Sequence, residues 1–353
     1  MHFYSDASQT GRLFPGTSNS MEPLKLDLSF DAVSALLALG DVLDGKRNLI
    51  VESSGSTGTP KEIVLTSQAL NKAAMASATR LGGHGQWLLA LPITYVAGAM
   101  VLVRSLLADS QPVVLNTNVP FTAEGFHRTA SFMTAERRYT SLVPAQLERL
   151  ASELKTVPGL LQTLKRFTAI LVGGQAAKLK TVDNLRSQGV NIVLTYGSAE
   201  TCGGIVYDGV PLDGYHVSVL NDGRIKIDEH ITNDLGEFVE GKLVVKGRID
   251  RVINSGGHKL SLEMVETWTQ SQASVVDAVA VATKHPEFGE AFVCFYTQNS
   301  DWQLDTSRAA LALGIVAKSG HWKKIDKIPT LPNGKPDLQF LTLQANNFGD
   351  SLG

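Results

Sequence analysis

A loop rich in glycine and hydroxyl side chains begins at Ser53, in the stretch SSGSTGTPK over residues 53–61. Gly55 and Gly58 allow the backbone to approach a ligand closely, while the serine and threonine hydroxyls and Lys61 supply hydrogen-bond donors and one positive charge. Donors and a cation that converge without bulk suit phosphate oxygens. An ordinary Gly/Ser turn has the same composition, so the loop alone leaves both interpretations open.

The spacing in this loop differs from that of a P-loop. A P-loop places Gly-Lys-Ser/Thr at the start of a helix, whereas Pro60, Lys61 and Glu62 open the strand-like run KEIVL. The sequence therefore predicts a phosphate-binding loop that leads into a strand.

A second segment, YGSAETCGG at residues 196–204, carries side chains that suit a nucleotide. Glu200 follows a predicted strand, at the edge where open α/β sheets bind ligands, and its carboxylate is a natural ligand for Mg²⁺. Tyr196 beside Gly197 is placed to stack on a base. A surface carboxylate and a tyrosine at the edge of a core are the plainer alternatives.

A third segment places alternating charges near a predicted junction between two lobes. It comprises Asp234 together with Arg248 and Asp250 in GRIDRVINSGGHK, residues 247–259. A solvated run of surface charges has the same appearance, and that interpretation is favoured when the segment is taken alone. The fixed order of the three segments along the chain is what makes them informative together.

Composition narrows the class of protein. A chain of 353 residues with 43% hydrophobic content can bury a large core and form two lobes. Its formal net charge of −2 offers no polybasic surface for nucleic acid or an anionic membrane, which favours a small-molecule partner. Cys202 and Cys294 lie far apart without metal-ligand spacing, so we expect a reducing compartment and neither a disulfide framework nor a zinc site.

Short β-branched runs alternate with helical patterns up to the segment at residues 196–204. This alternation predicts β/α units around a largely parallel sheet. Beyond Gly214, Asn221-Asp222-Gly223 predicts a hairpin, and from about Arg251 a smaller α+β unit begins with the helix SLEMVETWTQ. The expected fold class is α/β, with a large N-terminal domain of β/α units around mostly parallel sheets and a small mobile α+β C-terminal domain.

We expect three segments along the chain. They are a polar N-terminal tail over residues 1–22, an ATP- and acyl-binding domain over 23–249, and a C-terminal domain over 250–353. The tail lacks the charged start and continuous apolar stretch of a signal peptide. No apolar run approaches the ~20 residues that a membrane span needs, so we expect a cytoplasmic protein without membrane insertion.

The segments, in this order, resemble the motifs of the adenylate-forming superfamily of acyl-CoA synthetases, nonribosomal peptide adenylation domains and luciferases. SSGSTGTPK resembles its phosphate loop and YGSAETCGG its Tyr-Gly-x-Thr-Glu motif. DLGEF and GRIDRVINSGGHKLSLEMVE resemble its ribose-binding and hinge segments, while HPEFGEAFVCFY and LPNGKPDLQ resemble two motifs of its C-terminal domain. The resemblance extends from about residue 48 to residue 341.

The resemblance implies ATP, Mg²⁺, a carboxylic acid and coenzyme A as the small molecules that are bound. The implied catalytic residues are Lys335, which reaches the α-phosphate during adenylate formation, Glu200, which binds Mg²⁺, and Lys61. The implied nucleotide-binding residues are Ser53, Ser54, Gly55, Ser56, Thr57 and Gly58 at the phosphates, Gly174, Gln175, Tyr196 and Gly197 at the adenine, and Asp234 and Arg248 at the ribose. Asp250 matches the hinge. The implied acyl and CoA site comprises Arg104, Tyr95, Gly203, Gly204, Gly257 and Lys259.

Two residues depart from the pattern of the superfamily. Ala199 stands where a threonine usually precedes the metal-binding glutamate, and Ser198 and Thr201 are candidates to supply the missing hydroxyl. Tyr95 stands where many relatives carry a histidine over the acyl site. Both changes affect how the nucleotide and the acid are positioned, and both leave the implied chemistry intact.

The early phosphate loop and the stretch CGGIVYDGVPLDG resemble the short-form o-succinylbenzoate–CoA ligases of menaquinone biosynthesis. The expected substrate is therefore o-succinylbenzoate. Arg104 interrupts the apolar run VLVRSLLA and is a candidate partner for the second carboxylate of this acid, because a buried guanidinium needs a compensating group. A snorkelling or salt-bridged helix residue explains Arg104 equally well.

Three other activities stay open at the level of sequence. One is a CoA ligase for another aryl or alkyl acid, and the second is an adenylation domain that charges a carrier protein. The third is an inactive nucleotide-binding homologue, against which Lys61, Glu200, Asp234, Arg248 and Lys335 all argue.

Overall fold

The structure, a computed structural model, describes residues 21–27, 30–53, 61–299, 304–331 and 335–349. The strands, in chain order, are β1 (Leu24–Lys25), β2 (Leu49–Ser53), β3 (Lys61–Leu65), β4 (Gln86–Leu89), β5 (Val113–Val114), β6 (Arg138–Leu142), β7 (Ala169–Val172), β8 (Ile192–Ser198), β9 (Gly203–Tyr207), β10 (Val210–Pro211), β11 (Val217–Val219), β12 (Arg224–Ile227), β13 (His230–Val239), β14 (Lys242–Arg248), β15 (Val252–Ser255), β16 (His258–Ser261), β17 (Val275–His285), β18 (Gly289–Gln298) and β19 (His321–Lys324). The helices are α1 (Ala32–Leu43), α2 (Ser67–Arg80), α3 (Val96–Leu107), α4 (Ala123–Ala130), α5 (Pro144–Ser152), α6 (Leu160–Lys165), α7 (Leu179–Ser187), α8 (Leu262–Gln270), α9 (Ala309–Leu313) and α10 (Leu338–Gly349). Short 3₁₀ turns cover Ile249–Arg251, Thr306–Arg308 and Ile315–Ser319.

A seven-stranded sheet in the order β10-β9-β8-β7-β6-β4-β5 forms the centre of the large domain. Its strands β5, β4, β6, β7 and β8 pair in parallel, and β9 and β10 complete one edge in antiparallel pairing. In β7, Ala169 and Leu171 belong to one hydrophobic core while Ile170 and Val172 belong to another. The sheet is therefore covered on both faces, as the unbroken apolar run of this strand favours.

A three-stranded sheet, β1-β2-β3, lies beside α1, α2 and α3 in the first of these cores. The strand β2 pairs in parallel with β1 and antiparallel with β3, so that Ser53 lies opposite Lys61 in the register. Leu39, Leu70 and Met100, one from each helix, are almost fully buried here. The predicted phosphate loop thus connects two antiparallel strands that are anchored on a helical layer.

A four-stranded antiparallel sheet, β11-β12-β13-β14, follows the central sheet in the chain. Its first two strands form the hairpin that Asn221-Asp222-Gly223 predicts, which is confirmed. Gly223 has φ 85°, a backbone conformation that glycine adopts without the strain imposed by a Cβ atom. This sheet carries Asp234 on β13 and Arg248 on β14, directly opposite each other in the register.

The turn Ile249–Arg251 separates this sheet from a five-stranded sheet in the order β16-β15-β18-β17, with β19 added to β18. Two separate cores cover this last sheet. One contains Phe292 and Val265 of α8, and the other contains Val281 and Leu341 of α10. The predicted boundary between residues 249 and 250 falls within the turn.

The α/β fold class, with a large first domain and a smaller C-terminal one, is confirmed. Parallel pairing is concentrated in the central sheet, where helices connect the strands, and it recurs in the pairs β1–β2 and β18–β19, which are connected through α1 and α9. Among the helices of the described chain, none combines the length and apolar character that crossing a bilayer requires.

Candidate active site

Two parallel strands of the central sheet deliver four of the predicted adenine-site residues to one edge. Gly174 and Gln175 follow β7, and Tyr196 and Gly197 lie near the end of β8. The carboxyl ends of parallel strands meet at the same edge of a sheet, which is where open α/β sheets bind ligands. The structure therefore places these four positions at the same edge of the sheet.

A tight hairpin between β8 and β9 shapes this edge. Gly197 lies opposite Gly204, with a register shift between Tyr196 and Gly197. A Cβ atom on Gly197 would lie 2.0 Å from the carbonyl oxygen of Gly203, a separation that no side chain can occupy. Glycine at position 197 is thus required by the close approach of the two strands.

Tyr196, Asp234 and Arg248 form a hydrogen-bonded cluster below this edge. The Tyr196 hydroxyl donates to Asp234 Oδ2 at 2.8 Å, and Arg248 Nη1 lies 3.2 Å from Asp234 Oδ1. Burial, and then the neighbouring Asp234 carboxylate, raises the pKa of Tyr196, so this hydroxyl stays protonated as a donor. The cluster holds the Asp234 carboxylate in a fixed orientation, which suits an acceptor for vicinal hydroxyl groups.

Arg248 also reaches the predicted hinge. Its Nε donates to Asp250 Oδ1 at 2.8 Å and its Nη2 donates to Asp250 Oδ2 at 2.6 Å, which makes a bidentate pair. The hydrogen bond to Asp250 is the main reason that the pKa of Arg248 is raised. One guanidinium therefore contacts both the predicted ribose-binding residue and the residue at which the small domain begins.

Arg251 anchors the other side of the turn inside the small domain. Its Nη2 donates to Glu266 Oε1 at 2.6 Å and to the carbonyl oxygen of Ala280 at 2.8 Å. Its Nη1 lies 3.4 Å from Glu263 Oε1. Asp250 is thus flanked by two arginines, Arg248 held by the large domain and Arg251 held by the small one.

Lys335 lies in the same electrostatic environment although it belongs to the small domain. Burial lowers its pKa, nearby Arg248 lowers it further, and Asp234 raises it. The carbonyl oxygen of Lys335 accepts a hydrogen bond from the Leu331 amide at 2.8 Å, so the backbone on either side of residues 332–334 is joined. The predicted catalytic lysine therefore lies close enough to Asp234 and Arg248 for their charges to act on it.

Gly257 and Lys259 occupy a different surface. Both are exposed on the hairpin of β15 and β16, where Lys259 lies opposite Asn254. Gly257 has φ 84°. Gly257 and Lys259 therefore face solvent, whereas Lys335 lies within the electrostatic influence of Asp234 and Arg248.

Glu200 lies exposed in the turn between β8 and β9. The neighbouring Thr201 hydroxyl accepts from the Ser198 amide at 2.9 Å and donates to the Gly203 carbonyl at 2.8 Å, so it is committed to the turn. The Ser198 hydroxyl is buried and has no hydrogen-bond partner among the described residues. Of the two candidates to replace the hydroxyl absent at Ala199, Ser198 is the one with unused hydrogen-bonding capacity.

The phosphate-loop residues Ser54, Gly55, Ser56, Thr57 and Gly58 lie outside the described residues. Ser53 is the last residue of β2 and Lys61 is the first of β3, where its side chain is exposed. The structure thus fixes where the predicted loop leaves and rejoins the sheet.

Arg104 is buried in α3, with 6% of its surface exposed. Its guanidinium lies 5.0 Å from the ring centroid of Trp87, and its Nε has no hydrogen-bond partner in the described chain. It borders a small cavity of about 10 Å³ that His84 and Tyr139 also line. A buried cation with an unsatisfied donor is costly, which makes the Arg104 guanidinium a candidate partner for an anionic group, although this cavity is too small to hold one as it stands.

Tyr95 precedes α3 at its N-terminus, nine residues before Arg104. At 1.5 Å per residue, this separation corresponds to about 13 Å along the helix. Burial raises the pKa of Tyr95, which keeps its hydroxyl neutral. Tyr95 and Arg104 therefore lie near opposite ends of this helix.

Cys202 and Tyr215 are near Arg104 but were not predicted as site residues. Burial raises the pKa of the Cys202 thiol to about 12, and Arg104 acts in the opposite direction on both residues. Cys202 has φ 57° and leads into Gly203, which lies with Gly204 on β9. No pattern in the sequence separates Trp87, Cys202 or Tyr215 from ordinary core residues, because their relation to Arg104 arises only in the folded chain.

Comparison with known proteins agrees with this geometry. The family described as AMP-binding enzyme matches residues 49–250. The chain is 36% identical over 336 residues to a probable 2-succinylbenzoate–CoA ligase of Mycobacterium tuberculosis, with 87% of each chain covered. It is 30% identical to the 2-succinylbenzoate–CoA ligase of Escherichia coli over 67% of this chain and 55% of that protein.

Solved structures show the same fold. An arginine-to-lysine variant of E. coli MenE with bound OSB-AMS is 25% identical, with a TM-score of 0.69 over 86% of this chain and 70% of that one. The o-succinylbenzoate CoA synthetase (MenE) of Bacillus subtilis, in complex with ATP and magnesium ion, is 21% identical and has a TM-score of 0.67. The match covers 82% of this chain and 69% of that one. The chain belongs to the AMP-binding enzyme family, within the adenylate-forming superfamily that its motifs indicate.

Proposed function

We propose that the protein is an ATP-dependent, AMP-forming acid–CoA ligase that converts 2-succinylbenzoate to its CoA thioester in menaquinone biosynthesis. The observation that carries the proposal is the Tyr196–Asp234–Arg248 cluster at the end of β8, in which Arg248 also pairs with Asp250 at the start of the small domain. The mycobacterial relative, similar over 87% of both chains, supports the choice of substrate.

The first step joins the acid to AMP. A carboxylate is a poor electrophile because oxide would have to leave, so its oxygen attacks the α-phosphorus of ATP and pyrophosphate departs. Negative charge then shifts among the phosphate and bridging oxygens, where the Lys335 ammonium stabilises the transition state more than the ground state. Asp234 and Arg248 fix the ribose, and the loop ending at Lys61 holds the leaving phosphates.

Glu200 is the residue proposed to hold Mg²⁺. Its exposed carboxylate at the edge of the sheet is a hard oxygen donor, and no group of three or more potential ligands occurs within the described part of the chain. A single carboxylate fits Mg²⁺, which is commonly held by one or two carboxylates together with phosphate oxygens and water. The ion supplies charge neutralisation at the phosphates when it is bound.

The second step releases AMP. The thiolate of coenzyme A attacks the acyl carbon of the adenylate, a thioester forms, and AMP leaves with the electron pair of the broken acyl–oxygen bond. Lys335 is not needed here, whereas Gly257 and Lys259 would approach the site after the small domain rotates about Asp250. Since both residues are exposed in the described arrangement, this arrangement suits the first step.

The substrate proposed here carries two carboxylates, and Arg104 is proposed to bind the one that is not activated. The guanidinium is buried beside Trp87 with an unsatisfied Nε, as expected of a group that awaits an anion. A Cβ atom on Gly203 would have no neighbour within 4 Å, so this position is proposed to border the aromatic ring, whereas a Cβ atom on Gly204 would lie 2.7 Å from the Thr195 side chain.

The test is release of AMP and pyrophosphate by the purified protein with ATP, Mg²⁺ and coenzyme A. We expect turnover with 2-succinylbenzoate and little with benzoate, a medium-chain fatty acid or no acid. Turnover of another acid would support the proposed two-step mechanism and contradict the proposed substrate. No turnover with any acid would contradict the proposed activity. We further propose that the protein works in the cytoplasm, where ATP and coenzyme A are available.

A further inference from the structure

Lys178 occupies an unusual position at the start of α7. It is the N-cap residue of this helix, where its side chain makes no capping hydrogen bond. Ser, Thr, Asp and Asn are favoured at this position, and a positive charge is opposed by the helix dipole. Residues that break a local rule often serve another purpose. Lys178 also lies only three residues after Gln175 in the adenine-site loop.

The side chain of Lys178 crosses to the small domain. Its Nζ donates a hydrogen bond of 2.5 Å to the carbonyl oxygen of Val276 on β17. Between Val275 and Asp277 the pairing of β17 with β18 shifts register, so that Val276 is the extra residue of a bulge. A bulge leaves its extra residue unpaired in the ladder, which presents a backbone carbonyl to a partner from outside the sheet.

Acidic groups flank Lys178 from both domains. Glu148 of α5, in the large domain, has its Oε2 3.9 Å from Lys178 Nζ. In the small domain, burial raises the pKa of Asp277, and the charge of Lys178 is the largest effect in the opposite direction. About a third of the Lys178 side chain is exposed, so this electrostatic attraction is partly screened by solvent.

A second contact between the domains lies near the hinge. The Glu263 carboxylate of α8 packs against Gly247 of β14, where a Cβ atom would lie 3.0 Å from Glu263 Oε2. Gly247 is only three positions from Asp250 in the chain. A contact so close to the hinge restrains the rotation of the small domain less than a distant contact does. The Lys178–Val276 hydrogen bond joins residues 98 positions apart in the chain and restrains the small domain away from its hinge.

We propose that Lys178 is a latch that holds the small domain in the orientation that carries Lys335 to the Asp234–Arg248 cluster. The inference rests on the proposed two-step function, because it assigns Lys178 to adenylate formation alone. Lys178 is a positioning residue that acts through Lys335.

The test is Lys178→Met, with each half-reaction measured separately. Loss of one partly exposed, charge-assisted hydrogen bond should slow adenylate formation roughly three- to tenfold. Conversion of preformed acyl-adenylate to thioester should stay within about twofold, since that step requires the small domain to leave this orientation. Lys178→Arg should recover part of the lost rate, because arginine retains a cationic donor.

Distance measurements between the domains provide a readout that needs no turnover. Spin labels at Gln162→Cys on α6 and Leu311→Cys on α9, both exposed positions, report the orientation, while the native cysteines are buried. Lys178→Met should shift the distribution of label distances, and Lys180→Met, an exposed lysine of the same helix, should leave it unchanged. An equal loss in both half-reactions, or an unchanged distance distribution, would overturn the proposal. A failure of the proposed activity would leave the distance measurement valid.

Discussion

Lys335 illustrates how one side chain acquires its chemistry from its surroundings. Burial and the proximity of Arg248 lower its pKa, while Asp234 counteracts both effects. The desolvated ammonium interacts more strongly with developing phosphate charge than a solvated one would. The same desolvation means that the amine loses its proton at a lower pH than an exposed lysine.

Lys335→Ala should reduce adenylate formation by on the order of 10² to 10³, the usual effect of removing a group that stabilises charge in the transition state. Thioester formation from preformed acyl-adenylate should be spared. In the unsubstituted protein, adenylate formation should decline on the alkaline side as pH rises through the lowered pKa of Lys335. Separate rate measurements for the two steps across pH check both expectations.

Lys327→Ala is the matched control, because Lys327 is an exposed lysine of the same domain. Both rates should match those of the unsubstituted protein. Equal losses in the two steps for Lys335→Ala would contradict the division of roles.

Arg104→Met should raise the KM for the carboxylic acid by tenfold or more while the KM for ATP stays unchanged. The guanidinium is buried with an unsatisfied Nε, so replacing it with an apolar side chain of similar length removes a desolvation cost. We therefore expect the free energy of unfolding to rise by about 1 kcal/mol. Steady-state kinetics and thermal unfolding measure the two effects.

Arg128→Met serves as the control for charge, because Arg128 is exposed on α4. An unchanged KM for the acid in Arg104→Met would remove Arg104 from the acyl site. A large fall in stability would instead identify Arg104 as a structural residue.

The β8–β9 hairpin shows how an element positions several site residues at once. It places Tyr196 and Gly197 on one strand, Gly203 and Gly204 on the other, and Glu200 in the connecting turn. The Thr201 hydroxyl closes this turn through hydrogen bonds to backbone groups. A distortion of the hairpin should therefore affect nucleotide and acyl binding together.

Gly197→Ala should destabilise the protein by about 3 kcal/mol or more, because its Cβ atom would lie 2.0 Å from the Gly203 carbonyl oxygen. The KM values for ATP and the acid should both rise. Thermal unfolding and steady-state kinetics provide the measurements.

Gly40→Ala in α1 is the contrasting control. Its Cβ atom would have no neighbour within 4 Å, and alanine favours a helix interior. We expect the free energy of unfolding to rise by about 0.5 to 1 kcal/mol with unchanged kinetics. Normal stability and kinetics in Gly197→Ala would show that the two strands can separate without consequence.

At the scale of the whole molecule, the relation between the two domains decides which step the site can perform. Asp250 lies in the turn between them, with Arg248 on one side and Arg251 on the other. The Arg251–Glu266 pair secures the turn to the interior of the small domain, so a rotation can change the contacts of Arg248 while the small domain stays intact.

Gly247→Ala should slow adenylate formation by about tenfold and affect thioester formation less. Its Cβ atom would lie 3.0 Å from the Glu263 carboxylate across the domain boundary, and its φ of 140° adds strain that is independent of domain orientation. A double-mutant cycle with Glu263→Ala separates the two contributions. The double variant should recover part of the lost rate, and simple additivity of the two substitutions would contradict a role for the contact.

Much of the fold follows from local patterns. The apolar run of β7, the hairpin residues around Gly223 and the helix α8 all have signals within a few neighbouring residues, and the structure bears them out. The interfaces between layers are different. That β7 divides its alternate side chains between two cores depends on helices that are distant in the chain.

The sequence by itself determined the identity and order of the chemical groups. Their residue types and spacing suit phosphate and metal ligands, since these depend on side-chain chemistry and local backbone freedom, and the resemblance to the adenylate-forming superfamily implies the ribose ligands. Tertiary structure decided which groups meet. Lys335 approaches Arg248 and Asp234, and Lys178 meets Val276, only because the packing of two domains converts large separations in the chain into contacts. It also left the Ser198 hydroxyl and Arg104 Nε buried without partners in the described chain, because satisfaction of a polar group depends on everything that surrounds it.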